Sequence, residues 1–280
     1  MSASSTLKPN RRDALIGAAG FAAVTAFGVR PALADTVSDI KSRGTIVIGI
    51  QGDNPPWGFV NGQGKQDGID KDVGDLFAKY LGVKAEYKPL AVADRIPALT
   101  TGRVDVLFAT MAMLPERAKA VQYSKPYAAN TIVLYGAKAD SIRTNEDMAK
   151  FTIGVPSSSV QDQQVTKLAP KGTKILRFAD DSATIQALIS GQVQAIGGNS
   201  AYLARLEQAK PGAFERKLTF VSLFNGACAK LGDKPMNDAL NAFLDKTIGS
   251  AEFKAIYKKW FAVDVPTFPP SVEGVPFTVN

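Results

Sequence analysis

Histidine is absent from the 280 residues, and cysteine occurs once. Without histidine the chain lacks the commonest general base and metal ligand, which argues against Ser-His-Asp chemistry and against zinc sites. A single cysteine excludes an internal disulfide, and Cys228 stands in an apolar segment that predicts a small core residue on a buried strand. We therefore expect no metal, no cofactor and no catalytic residues.

Long apolar runs and clusters of charge of one sign are also missing. The 33 basic residues exceed the 26 acidic ones, but they are scattered, which argues against a nucleic-acid partner. The one extended apolar segment, residues 14–29, is short and rich in glycine and alanine, which is poor for a membrane span. Apolar residues make up 45% of the chain, enough for a globular protein with two cores.

The first 34 residues have the pattern of an export signal. Arg11 and Arg12 precede the apolar run, and a small-x-small site ends at Ala34, which predicts cleavage there and a periplasmic location. The paired arginines favour the twin-arginine route. Asp13 and Ala14 depart from that motif, so the general secretory route stays open.

The remaining chain alternates segments with strand and helix patterns. Strand patterns at 46–50, 85–89 and 104–109 enclose helix patterns at 70–81 and 94–101, and a second series begins at 151. Such alternation predicts an α/β protein with mostly parallel sheets. The last helices are expected at 235–249 and 252–261, followed by a proline-rich tail lying extended on the surface.

The most informative segment runs from Arg95 to Asn130. An apolar strand ends at Ala109 and is followed by Thr110, a turn and Arg117 at the start of a helix. Strand ends are where open α/β sheets bind ligands, and an arginine there can hold a carboxylate bidentately. From the spacing alone, a surface arginine without a ligand explains Arg117 equally well.

The sequences IPAL, GRVDVLFA and ATMAMLPERAKAVQYSKPY resemble the amino-acid-binding family of periplasmic solute-binding proteins, the receptors of ABC importers. The resemblance spans nearly all of residues 41–261. It implies the type II two-lobed α/β fold, in which two sheets with flanking helices are joined by a two-strand hinge. Lobe 1 would comprise residues 35–128 and 225–280, and lobe 2 residues 129–224.

The resemblance also implies the ligand contacts. Arg117 matches the position that holds the ligand's α-carboxylate, and Thr110 and the backbone N–H of Ala112 match further contacts. Ser158 and Ser159 precede a helix of lobe 2, and Ser159 would provide the second contact to the carboxylate.

Trp57 would pack against the ligand, or else simply anchor its loop in lobe 1.

Asn199 departs from the family pattern, which has an aspartate there to neutralise the ligand's ammonium group. The missing charge would come from another acid, with Asp53 the first candidate and Asp180 or Asp181 next, or the ligand lacks an ammonium.

Gln51 at the exit of the first strand favours a neutral or polar ligand. Asp70 and Asp72 are interpreted as residues that cap and charge the first turn of a helix, and they are left out of the predicted site.

These features predict an exported monomeric receptor that binds a small amino-acid-like solute and delivers it to an ABC-transporter permease. The principal alternative is an enzyme resembling cyclohexadienyl dehydratase on the same fold, which would need an acid of near-neutral pKa in the cleft. A sensor or transglycosylase module ranks lowest.

Overall fold

The computed structural model describes residues 35–279, so the predicted export signal lies outside the described residues. The helices are α1 Thr36–Arg43, α2 Ile69–Leu81, α3 Arg95–Thr100, α4 Pro115–Ala118, α5 Val160–Leu168, α6 Asp181–Ile189, α7 Tyr202–Ala209, α8 Lys234–Thr247 and α9 Ala251–Phe261. The strands are β1 Thr45–Ile50, β2 Asp53–Asn54, β3 Gly58–Val60, β4 Gln66–Asp67, β5 Lys84–Pro89, β6 Val106–Leu107, β7 Val121–Ala137, β8 Ile153–Pro156, β9 Ile175–Phe178, β10 Ala195–Asn199 and β11 Phe214–Lys230. Within the described range, no helix is long and apolar enough to cross a membrane.

Eight strands form one mixed sheet in the order β5-β1-β6-β11-β7-β10-β8-β9. The outer pairs are parallel, as the alternating pattern predicts, whereas β7 and β11 run antiparallel through the centre. We call the half that contains β1, β5 and β6 lobe 1, and the half that contains β8, β9 and β10 lobe 2. The domain boundaries given above stay a prediction.

The two lobes share β7 and β11, each 17 residues long. The family resemblance implies two crossing hinge strands near residues 128–130 and 224–225, and both segments lie within these strands. Repeated register shifts between β7 and β11, for example between Asn225 and Gly226, bend the pair where it passes from one lobe to the other. The two predicted sheets are therefore joined into one hydrogen-bonded sheet.

Helix α2 shows how the sequence encodes lobe 1. Ile69, Val73 and Phe77 recur at intervals of four and are all fully buried, so one face of the helix packs on the sheet. The helix ends at Gly82, whose φ of 77° is the left-handed conformation that glycine adopts most readily. The sequence prediction of a helix over 70–81 is confirmed to within one residue.

The tail after α9 is extended, but it does more than cover the surface. Val275 is 3% exposed and Phe277 9% exposed, and both pack in the apolar cluster that contains the buried Cys228. Asn241 of α8 donates a hydrogen bond to the Phe277 carbonyl at 2.7 Å. The prediction for Cys228 is confirmed, whereas the prediction for the tail missed its buried end because two apolar residues among prolines give no periodic signal.

Candidate functional site

A narrow cavity lies where β1, β6 and the loop after β6 meet the first turns of α5 and α6. Most of its lining side chains are polar, and three of them are charged. The lining residues are Gln51, Asn54, Val92, Arg95, Thr110, Ala112, Arg117, Asn130, Ile132, Ser159, Val160, Gln161, Asp181 and Asn199.

Gln51 joins the two sides of the cavity. Its side-chain nitrogen donates to Asp181 of lobe 2 and to Asp53 at 3.2 Å. Its side-chain oxygen accepts from Asn54 at 3.3 Å and from Thr110 at 3.0 Å. An amide group has two donor hydrogens and two acceptor lone pairs, so these four bonds use its full capacity. Gln51 therefore links the lobes and has no group left to select a ligand.

Asp181 is the acidic side chain that the described residues place in the cavity lining. It is 1% exposed, and it accepts hydrogen bonds from Gln51 and Tyr202. Burial raises the pKa of Asp181 to about 6, and the negative charge of Asp53 adds to the rise. Two bonds leave lone pairs on both carboxylate oxygens, so Asp181 is able to accept from a cationic group in the cavity.

Asn199 and Asn54 form a second link between the lobes. Asn199 donates to the side-chain oxygen of Asn54 at 3.1 Å and accepts from the backbone N–H of Ala201 at 2.9 Å. Asn199 is 1% exposed and lines the cavity. The neighbouring Asn130, on β7, has a buried side-chain oxygen with no partner among the described residues. That oxygen is a free acceptor in the cavity wall.

Arg117 on α4 faces the N-terminus of α5 across the cleft. Its guanidinium donates to the backbone oxygen of Ser158 at 3.4 Å, a long bond that leaves most of its donors without a partner among residues 35–279. Ser159 caps α5 by accepting from the N–H of Asp162 at 3.0 Å. A guanidinium beside a capped helix N-terminus is an environment that favours an anion.

Thr110 is held in an unusual conformation at the end of β6. Its φ is 52°, in the left-handed region, which a β-branched residue rarely adopts. Asp70 accepts from the N–H of Thr110 at 2.9 Å and from the hydroxyl of Tyr127 at 2.6 Å, and it shares the single hydroxyl hydrogen of Thr110, at 3.2 Å, with Gln51. Asp70 thus fixes the loop that supplies one wall of the cavity.

Asp70 and Asp72 lie in the first turn of α2, as predicted, but neither side chain caps the helix, whose N-cap is Gly68, and Asp70 bonds outside its own helix. Asp70 is fully buried, and burial raises its pKa to about 6 although the hydrogen bonds from Tyr127 and Thr110 oppose the rise. Asp72 also bonds outside its own helix, since it accepts from Lys259 and from the indole N–H of Trp260, both at 2.8 Å. From the sequence, a carboxylate in the first turn of a helix could act on its own helix or bond to another segment of the chain. Only the packing distinguishes these two roles.

Arg95 is the residue of the site that the sequence reasoning missed. It is 4% exposed, it lines the cavity, and its Nη1 donates to the backbone oxygen of Ala109 at 2.7 Å. Burial lowers its pKa, while the charges of Asp181, Asp53 and Asp70 oppose that effect. From the sequence alone, an arginine at the start of a short helix is expected to be exposed to solvent. No local signal therefore identifies Arg95 as a buried residue of the site.

The chain matches the family model of bacterial extracellular solute-binding proteins, family 3, over residues 46–263. It belongs to this family. The L-cystine-binding protein TcyJ of Escherichia coli is 27% identical over 261 residues, covering 91% of this chain and 97% of the relative.

Among solved structures, an ancestral arginine-binding protein bound to glutamine is similar with a TM-score of 0.74 and 34% identity, over 79% of this chain and 99% of that chain. The ancestral amino-acid-binding protein AncCDT-1, a precursor of cyclohexadienyl dehydratase, has a TM-score of 0.74 and 30% identity, over 81% and 99% of the two chains. The expected two-lobed fold is therefore confirmed.

In this solute-binding protein, the predicted site residues Arg117, Thr110, Ala112, Ser159 and Asn199 come together around one cavity. The N–H of Ala112, expected to face the ligand, instead donates to the Thr110 carbonyl at 3.0 Å in the same loop. Ser158 is exposed and contributes its backbone oxygen to Arg117.

Two further predicted contacts lie away from the cavity lining. Trp57 is 2% exposed in the core of lobe 1, with its ring edge-on to Phe261 at 4.9 Å, which fits the alternative of a loop anchor. Asp53 accepts from the N–H of Ser182 at 2.9 Å, and its backbone oxygen accepts from Arg205. Asp53 thus bonds to lobe 2 around the first turn of α6, and Asp181 takes the position in the cavity.

Proposed function

We propose that this family-3 protein is a receptor that binds an α-amino-acid-like solute in the cavity and delivers it to an ABC-transporter permease. The observation that carries the proposal is the separation of charge within one small cavity. Arg117 and the N-terminus of α5 form an anion site on one side, and Asp181 supplies a buried carboxylate on the other. This arrangement matches the carboxylate and ammonium groups of a zwitterion.

In this proposal, Asp181 supplies the negative charge that Asn199 lacks. A neutral amide contributes about 1 kcal/mol through a hydrogen bond, whereas a charged acceptor contributes roughly 1.5–3 kcal/mol. The charge missing at position 199 is present at Asp181, and the free oxygen of Asn130 adds an acceptor nearby. Because these groups come from both lobes, a ligand bound among them would stabilise the closed arrangement.

A thermal-shift screen of the purified chain, stripped of bound solute by unfolding and refolding, tests the proposal. The panel contains the common amino acids, betaines, polyamines and amine-free organic acids. A ligand at a hundred times its Kd adds about 2.7 kcal/mol, which raises the Tm by roughly 5–10 °C in a protein of this size. Shifts with α-amino acids are expected. If amine-free acids alone shift the Tm, the ligand has no ammonium and the assignment of Asp181 is wrong.

The similarity to AncCDT-1 makes a dehydratase the second candidate. Such an enzyme needs a carboxylic acid of near-neutral pKa in the cleft, and Asp181 with a pKa of about 6 meets that requirement. Incubation with prephenate separates the two functions. A receptor leaves prephenate unchanged, whereas consumption that is abolished by Asp181→Asn would establish the enzyme.

We also propose that the protein acts as a monomer in the periplasm after removal of residues 1–34 by the export machinery. N-terminal sequencing of the exported protein should begin at Asp35. Export that fails when Arg11 and Arg12 are both replaced by lysine would identify the twin-arginine route, and unchanged export would identify the general secretory route.

A further inference from the structure

Arg95 carries a set of hydrogen-bond donors that the protein itself does not satisfy. Its Nε and Nη2 are both buried and have no partner among residues 35–279, whereas Nη1 is bonded to Ala109. Nε–H and the adjacent Nη2–H lie on the same edge of the guanidinium plane and point in nearly parallel directions. This is the edge that binds a carboxylate bidentately.

The acids around Arg95 supply charge but no bond to this edge. The carboxylate of Asp70 is bonded to Thr110 and Tyr127, and that of Asp53 is bonded to Ser182 and Gln51. Asp181 is bonded to Gln51 and Tyr202. Buried donors without acceptors are strongly unfavourable, and a charged group more so, which favours a ligand that brings its own acceptor.

We propose that the Nε and Nη2 edge of Arg95 binds a second carboxylate of the ligand, so that the solute is a dicarboxylic amino acid of the glutamate or aspartate type. This inference rests on the proposed receptor function. In the proposed complex, Arg117 and the N-terminus of α5 bind the α-carboxylate of the ligand. Asp181 binds its ammonium group, and Arg95 binds its side-chain carboxylate. Each charged group in the cavity lining then has a partner of opposite charge.

Other classes of amino acid fit this cavity less well. A basic side chain would place a cation against Arg95, and an amide side chain offers one oxygen to two parallel donors. Cystine has a second carboxylate but also a second ammonium, which would need another acid in the lining, and among the described residues Asp181 is the one acid there. The neutral ligand that Gln51 suggests loses its basis, because the amide of Gln51 is fully bonded within the protein.

Isothermal titration calorimetry on the stripped chain tests the inference with isosteric pairs. Glutamate is compared with glutamine, aspartate with asparagine, and arginine and cystine are included. We expect the better dicarboxylic ligand to bind at least tenfold more tightly than its amide, because a charge-assisted bidentate contact replaces a single neutral one. Arg95→Gln should remove most of that ratio by weakening the acid while leaving the amide within about threefold.

Arg95→Lys keeps the charge and loses the bidentate edge, so it should give an intermediate ratio even if Arg95→Gln folds poorly. Arg103→Gln, at an exposed arginine in the same segment of the chain, is the matched control and should leave every affinity unchanged. Together the two variants separate a direct contact with the second carboxylate from a general loss of positive charge.

The outcomes separate this inference from the proposed function. If the wild-type protein binds amino acids but prefers the amide, a basic side chain or cystine, the receptor function stands and the role of Arg95 is refuted. The role is also refuted if Arg95→Gln weakens acid and amide equally, which would show a purely structural arginine. If no amino acid binds, the receptor function itself fails.

Discussion

Replacing Asp181 by asparagine should stabilise the unliganded protein near neutral pH while it weakens the binding of amino acids. Asp181 is buried beside Gln51 and Tyr202, and its pKa is raised from 3.8 to about 6. A rise of this size corresponds to about 3 kcal/mol of free energy of unfolding. Asparagine and a protonated carboxyl group both present one acceptor and one donor to these neighbours, so the two side chains are comparable at low pH.

The sign of the pH dependence follows from the direction of the shift. Well below pH 4 the carboxyl of Asp181 is protonated in both the folded and the unfolded state. Between about pH 4 and 6 the unfolded chain loses this proton while the folded protein retains it, so the contribution of Asp181 to stability falls as the pH rises. Above about pH 6 the loss is complete. Asparagine does not ionise, so the variant avoids this loss.

Urea unfolding of both proteins at pH 4, 5, 6 and 7.5 measures the effect. The free energy of unfolding of Asp181→Asn, relative to wild type, should grow by roughly 2–2.5 kcal/mol from the lowest to the highest pH, since the unfolded carboxyl is already half ionised at pH 4. Asp264→Asn, at a side chain that is 91% exposed, is the control and should show no such trend. Calorimetry at pH 7.5 should show amino-acid affinity reduced about tenfold or more in Asp181→Asn. A difference in stability that does not vary with pH, or an unchanged affinity, would refute the role given to Asp181.

Three further variants test other parts of the site. Arg117→Ala should weaken amino-acid binding about 100-fold, measured by calorimetry, with the Tm of the unliganded protein nearly unchanged because Arg117 makes one long bond within the protein. Tyr127→Phe removes the hydrogen bond that Tyr127 donates to Asp70, which raises the pKa of that carboxyl further. Because this bond stabilises the ionised carboxylate, the free energy of unfolding in urea should fall by about 1–2 kcal/mol at pH 7.5 and by less at pH 4. Trp57→Leu should lower stability by about 2–4 kcal/mol in the same assay with amino-acid affinity unchanged, and a large loss of affinity would instead restore the predicted ligand contact.

The local pattern of apolar residues and glycines was sufficient to predict most of the helices and strands. The helix that ends at Gly82 and the strand at 46–50 follow from periodicity and from a glycine stop, and both are confirmed. The length of β7 and β11 was missed, because Pro126 and Gly226 interrupt the patterns that would mark a continuous strand. Their pairing spans the two lobes and depends on contacts between residues far apart in the chain.

The site residues that belong to a sequence motif were predictable, whereas those placed in the cavity by tertiary packing were missed. Arg117, Ser159 and Asn199 follow from the family pattern, and each lines the cavity. The sequence analysis ranks Asp53 ahead of Asp181, yet the carboxylate of Asp53 accepts from the backbone N–H of Ser182. Which of two nearby acids faces a cavity depends on how the lobes meet, and a single sequence contains no local signal for that.

The sharing of β7 and β11 also bears on how the chain folds during synthesis. In lobe 1, the N–H of Ala227 donates to the side chain of Ser124, which lies 103 residues earlier in the chain. At a synthesis rate of 5–20 residues per second, Ser124 would wait roughly 5–20 s for this partner to be made. During that interval β1, β5 and β6 lack the strand that covers their inner edge. The nascent first half therefore exposes an unpaired strand edge until the second half of β11 has been made, and unpaired edges of this kind are prone to aggregation.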